Sequence, residues 1–409
     1  MIPFARIVKY GNVLPKGPSI IDVKHSYTSN ITTYILRDNG ELWGGGYNAN
    51  GALGLGNTND TYRNKCVKLR SDVKLMNCFS SNVVIITNDN KILFAGNDDS
   101  ITSGSSSYVR STWVDMSNRF SSATPISEIK QIGCSPYNMF VLTNTGNMYG
   151  VGLGRSLGAN IAATSGNYTN TPSLISTNVD DMQVGSESTT FRKTDGTIWG
   201  FGNNGYGAVY SMDVSSPTST SNSAYVLAPV QMFITHSPST ALGWYGGRNN
   251  NMMVSADGTT TTGCGAAWYG TLGTGYNTNG TVGNLSTVPS MTVTLPVPCA
   301  ETVRDTPNSM QRAYKGTDGF FYMIGYNPAG ELGLGYTRGT GNAYAITDWT
   351  KNTNLPVPND EVVGFSFGYF VSFMYTKTNV YVCGNTTHSV GPNIGTAVPT
   401  FTKVPIDFG

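Results

Sequence analysis

The chain repeats one pattern of apolar and polar positions. A short apolar run leads into a polar turn, and a second apolar run follows and ends on glycine. The first runs read "TTYIL" (32–36), "VVIIT" (83–87), "NMFVLT" (138–143), "NMMVS" (251–255) and "VSFMY" (371–375). Their length and their β-branched and aromatic content predict strands. The turns carry Asn39-Gly40, Asp195-Gly196, Asp257-Gly258 and Asp318-Gly319. Such pairs accept positive φ at both central positions and make tight hairpins.

The glycine that closes each second run serves as an anchor. It recurs at Gly46, Gly96, Gly152, Gly202, Gly265, Gly325 and Gly384, with spacings of 50, 56, 50, 63, 60 and 59 residues. Three residues before it stands Trp43, Leu93, Tyr149, Trp199, Tyr322 or Tyr381, and only Thr262 departs from a bulky side chain. A period of this size suits one four-stranded blade with its loops. Lacking a Cβ, the anchors are expected to allow close backbone approach where blades converge. A phosphate-cradling role has no support, because no G-x-x-x-x-G-K-[ST] stretch is present.

Three copies fit a single pattern without gaps: "GELWGGGYNANGALG" (40–54), "GTIWGFGNNGYGAVY" (196–210) and "GFFYMIGYNPAGELG" (319–333). This unit resembles the repeat of the regulator-of-chromosome-condensation family. The resemblance implies an all-β fold, a seven-bladed β-propeller of four-stranded antiparallel blades covering nearly the whole chain. It also implies a choice of functions, since that family ranges over nucleotide exchange, enzyme inhibition and scaffolding. Residues 1–17 have no counterpart in the repeats and are expected to form an arm or an extra strand. Residues 18–409 make the propeller. The segment near 399–406 is expected to close the ring by pairing in the first blade, beside "SIIDVKHSY" (19–27).

Composition narrows the function. Charged residues are only 12% of the 409, and the net charge is +1. Such a chain has no global field to draw nucleic acid or an anionic membrane. Its first residues, "MIPFARIVKYGNVLPKGPS", lack the apolar core of a secretory signal. No apolar run approaches the roughly 18 residues of a membrane span. The six cysteines, at 66, 78, 134, 264, 299 and 383, are widely spaced and are expected to be buried free thiols.

Candidate chemistry is sparse. His25, His236 and His388 fall in different repeats. "TDGTIW" (194–199) resembles a sialidase Asp-box, but the hairpin turn accounts for its Asp and Gly. Asp98-Asp99 and Asp180-Asp181 read as solvated loop charge. No catalytic constellation, metal site or cofactor is expected, and the chain is read as a non-enzyme.

The insertions carry more information. They follow the anchor glycine at 98–125, 159–172, 208–224, 276–290, 336–348 and 386–398, and circular symmetry gathers them on one face of the ring. They are rich in Ser, Thr, Asn, Gly and Tyr, which suits adaptable hydrogen bonding with aromatic contacts. Trp113, Trp268, Tyr269, Tyr206 and Tyr336 are the expected binding-face residues. Low charge and Ser/Thr/Asn/Gly richness resemble bacteriophage tail, fibre or surface proteins. The expected partners are other virion or scaffold proteins and a host-surface glycan or protein. The expected location is the virion, after synthesis in the host cytoplasm. The alternatives are a guanine-nucleotide-exchange-type regulator and an enzyme-inhibiting propeller.

Overall fold

The computed structural model describes residues 17–25, 31–60, 65–98, 101, 108–161, 167–204, 207–209, 225–232, 241–246, 250–265, 270–273, 291–303, 309–338, 344–386 and 396–408. These form 28 strands, β1 to β28 in chain order, in seven sheets of four. Every sheet is built from four consecutive antiparallel strands. The result is an all-β seven-bladed propeller.

The first strand of each blade lines a central channel: β1 (Ile20–His25), β5 (Val73–Phe79), β9 (Ile129–Cys134), β13 (Val179–Val184), β17 (Ala241–Tyr245), β21 (Cys299–Thr302) and β25 (Gly364–Phe367). The second strands are buried on both faces, because each blade is sandwiched between two others. In β2 (Thr32–Arg37), β6 (Asn82–Thr87) and β10 (Asn138–Thr143) every residue is buried. That is why these strands read as continuous apolar runs rather than as alternating ones.

Seven hydrophobic clusters lie between successive blades, each drawing side chains from both neighbours. The bulky residue three before the anchor packs back on the preceding blade. Leu93 meets Tyr34 and Leu36, Tyr322 meets Tyr245, and Tyr381 meets Phe321. Polar clasps add to this: the Gln131 side-chain amide donates to the Met182 carbonyl at 2.6 Å and accepts from the Met182 amide at 3.1 Å.

Ring closure differs from the expectation. The segment β28 (Val398–Lys403) pairs with β27 (Val380–Gly384) in the seventh blade, and β1 pairs with β2. Among the described residues, no strand crosses the seam. Instead the Ile20 amide donates to the Lys377 carbonyl at 2.7 Å. The same bond joins other blades, from Val73 to Gly40, Val179 to Gly146, Ala241 to Gly196 and Cys299 to Gly258. The cluster of Ile20, Val23, Ile35 and Trp43 with Phe373, Tyr375, Val382 and Val404 then seals the seam. Past β28, Phe408 reaches the first blade, edge-on to Trp43 at 5.3 Å and under the Arg37 guanidinium at 4.5 Å. The expected arm of residues 1–17 lies outside the described residues except for Gly17.

All six cysteines are free. Five are buried, and Cys66 is partly buried.

Candidate functional site

The loop face is built from the glycine anchors. Each stands within the last three residues of its blade's third strand, opposite the first residue of the second strand: Gly46 faces Thr32, Gly202 faces Ser188, and Gly384 faces Val371. All seven have φ between +93° and +121°. A Cβ at six of them would stand no more than 2.5 Å from the carbonyl oxygen that precedes the second strand. That oxygen accepts the amide of the residue after the anchor, as from Tyr47 to Ile31 and from Asn203 to Glu187, both at 2.9 Å. The close approach therefore lies inside the blade, not between blades as the sequence reading held. The anchor turns the chain so that the next amide reaches back across the hairpin.

Two residues past the anchor, an asparagine starts the outer connection. Asn48, Asn204 and Asn327 each accept, through the side-chain oxygen, the amide five residues on, at 3.0, 2.9 and 2.9 Å. This folds "NANGALG" and its copies into compact turns (48–54 in the first blade). The turn carbonyl at the equivalent place is then taken by a side chain: the Tyr34 hydroxyl of the same blade donates to Ala52, while the Asn251 side-chain amide and the Cys383 thiol reach from the next blade to Ala208 and Glu331. The connections between third and fourth strands, and those between first and second, therefore leave on one face.

Two groupings stand out on that face. In the first, Tyr326, beside its anchor Gly325, stacks on Tyr369 at 5.4 Å and 26°. Tyr344 lies 6.3 Å from Tyr326, and Phe370 stands edge-on to Tyr369 at 4.1 Å. All four are half-buried. Tyr336 is 42% exposed in the same connection, where its carbonyl accepts the Asn327 side-chain amide at 3.1 Å. Beneath this grouping Glu331 is fully buried, and burial pushes its carboxyl up to about 8.

In the second grouping, Glu187 accepts from Asn203 at 2.7 Å and from the Tyr225 hydroxyl at 2.9 Å. Arg155 pairs with it at 3.4 Å and lies over the Tyr225 ring at 5.0 Å. Burial and the Glu187 carboxylate push the Tyr225 hydroxyl up to about 12, so it remains a donor.

Two of the five expected binding-face residues, Trp113 and Tyr336, lie within the described residues. Trp268, Tyr269 and Tyr206 lie outside the described residues. Trp113 sits in β8 (Tyr108–Asp115), the outer strand of the second blade, and not in a loop. A Cβ on Gly54 would fall 2.5 Å from its indole, so it packs as a half-buried spacer against the first blade. Tyr369 and Phe370 were missed, because they lie in the short turn "GYF" (368–370) ahead of a second strand, away from the long insertions. An aromatic pair at that place in a repeat was the available signal.

The remaining candidates for chemistry have structural partners. His25 is buried, and burial holds its imidazole down to about 3, so it is neutral; Nδ1 lies 2.7 Å from the Ser366 hydroxyl. Asp195 accepts the Thr197 amide and hydroxyl within its hairpin turn. Asp180 is bound to Arg192 at 3.0 Å. His236, His388 and Asp99 lie outside the described residues. Among the described residues, no three His, Cys, Asp or Glu side chains group as a metal site.

No family model matches the chain, and no curated protein matches it. Solved structures do. Prp20p from Saccharomyces cerevisiae, a protein with binding properties to Gsp1p and histones, aligns with a TM-score of 0.68 at 15% identity, over 88% of this chain and 85% of that one. The complex of Kap60 with yeast RCC1 (Prp20) gives 0.67 at 15%, over 96% and 85%. Human WBSCR16 gives 0.64 at 16%, over 87% and 85%. At these identities the likeness speaks for fold. With seven like blades, their repeat glycines and these neighbours together, the chain is an RCC1-like seven-bladed β-propeller.

Proposed function

We propose that this chain is a non-enzymatic binding propeller that holds a protein partner on its loop face. The observation that carries the reading is the stack of Tyr326 on Tyr369, half-exposed and assembled from two blades. Rigid aromatic side chains bury much area at low entropic cost and concentrate binding energy. The fold neighbours in yeast bind proteins, namely Gsp1p, histones and Kap60. A nucleotide-exchange role is less favoured for a chain of net charge +1.

We place the chain itself in a bacteriophage particle, as a tail, fibre or surface component. Low charge and polar, uncharged loops support that placement. The test is to express the chain together with its neighbouring genes and purify any particles formed. The wild-type chain should be found in them. A Tyr326→Ala/Tyr369→Ala variant that melts like wild type should be lost from them. Normal incorporation of that folded variant would overturn the loop-face reading. A chain absent from every particle would overturn the virion placement.

A further inference from the structure

The innermost strands of the first six blades open with a β-bulge. In β1, Ile20 pairs with Arg37 and Asp22 with Leu36, which leaves Ile21 unpaired. The same slip leaves out Lys74, Lys130, Asp180, Leu242 and Ala300 in the next five blades. In the seventh blade Val363 holds this place, its amide donating to the Tyr375 carbonyl just ahead of Gly364. A bulge re-aims the side chain of the extra residue. The innermost strands touch one another at at least five of the seven blade junctions around the channel. The bulged residues therefore ring the channel mouth on the face opposite the loops.

The ring is divided. Four successive blades contribute Leu242, Ala300, Val363 and Ile21, and the three larger ones are 37%, 43% and 47% exposed. The next two blades contribute Lys74 and Lys130, both exposed. Three carboxylates of the innermost strands and the turns before them are occupied: Asp22 by Lys24 at 3.2 Å, Asp72 by Arg70 at 2.6 Å and Asp180 by Arg192 at 3.0 Å. Among the described residues, neither Lys74 nor Lys130 forms an ion pair. Where the two arcs meet, a cavity of about 340 Å³ opens, lined among others by Ile21, Lys24, Lys74, Leu75, Phe365 and Tyr375.

We propose that this mouth is a second recognition site, for a segment of a partner protein that carries a carboxylate beside a large apolar side chain. The apolar side chain enters the cavity and covers the aliphatic arc. The carboxylate pairs with Lys74 and Lys130. Clustered exposed aliphatics mark interaction sites, and unpaired lysines at their border select an acidic neighbour. A nucleic acid fits less well, because the arc offers aliphatic groups where bases need flat rings to stack on.

The test uses the full chain and a displayed library of random short peptides. Selection should enrich sequences with Asp or Glu next to Leu, Ile, Met or Phe. Synthetic copies of the enriched peptides should bind Lys74→Glu/Lys130→Glu at least about tenfold more weakly. They should bind Ile21→Asp more weakly too, while Tyr326→Ala/Tyr369→Ala leaves them unaffected. These substitutions are at exposed or half-exposed positions, and thermal melts check that each variant folds. Failure to enrich any such sequence would overturn the proposal. So would full binding by the lysine variant, competition by a polynucleotide better than by the peptides, or loss of binding only in the loop-face variant. The last result would leave the loop-face reading standing.

Discussion

A Cβ on Gly202 would overlap the carbonyl oxygen of Glu187, the same oxygen that accepts the Asn203 amide at 2.9 Å. Gly202→Val must therefore break that bond or move the hairpin. Positive φ costs roughly 1–2 kcal/mol for a side chain, and overpacking adds about 1–3 kcal/mol. The expected loss is about 2–5 kcal/mol, measured by denaturant unfolding. Gly319 is the control: its φ is +80° but nothing lies within 4 Å of a Cβ there. Gly319→Asn should cost less than about 1 kcal/mol, since Asn tolerates this turn conformation. Equal losses at the two sites would refute the argument from contact.

The seam gives a second expectation. Phe408 is half-buried and holds the last blade to Trp43 and Arg37 of the first. Phe408→Ala should cost about 1–3 kcal/mol, less than full burial would give. Hydrogen exchange should show faster opening at the Ile20 amide than at the equivalent Val179 amide. Unchanged exchange at Ile20 would show that the tail does not hold the seam.

Two carboxyl groups set opposite pH dependences. The Lys68 ammonium, helped by Trp43, Asn39 and Arg37, draws the Glu41 carboxyl from 4.5 to about 2, against the opposing effect of burial. Its lowered value stabilises the fold above pH 4.5, and that contribution fades as pH falls towards 2. Burial raises Glu331 from 4.5 to about 8. Its contribution is complete below pH 4.5 and fades as pH rises through 8. Glu41→Gln should flatten the acid side of the melting curve against pH. Glu331→Gln should raise the melting temperature at pH 8 relative to wild type and change it little at pH 4. A Glu331→Gln variant that melts lower at pH 8 would reverse the assignment.

The thiols should be present but slow. Burial pushes Cys66, Cys78 and Cys299 up to about 12 and raises Cys134 and Cys383 well above the usual thiol range. A thiol reagent should label the native chain slowly and all six cysteines once it is unfolded. An intact mass short by two hydrogens would reveal a bridge and contradict the free state.

The blade was legible because its constraints are local. Gly40 and Gly46 sit within one hairpin, and the turn and back-reaching bond need those residues whatever surrounds them. The bulky position typified by Trp43 was legible for the same reason. The seam was not. Whether β28 pairs with β1 or with β27 depends on partners at opposite ends of the chain, and both choices satisfy the same apolar pattern. Trp113 was read as part of an insertion because composition alone does not separate β8 from the rest of 98–125. The stack of Tyr326 on Tyr369 joins two blades, and no single repeat records it. The bulged ring was hidden too, since Ile21, Lys74 and Lys130 look unlike until register aligns them.

The bond from Ile20 to Lys377 repeats what other blade junctions do, and each sheet is one unbroken stretch of chain. The ring consequently has no privileged starting point. Joining the two ends through a short linker and opening the chain instead between the sixth and seventh blades, within residues 352–363, would leave all seven sheets intact. The same modularity means that duplication or loss of one continuous coding segment adds or removes one whole blade. Ring size is then free to change by single steps, with no partner strand elsewhere in the gene required to change with it.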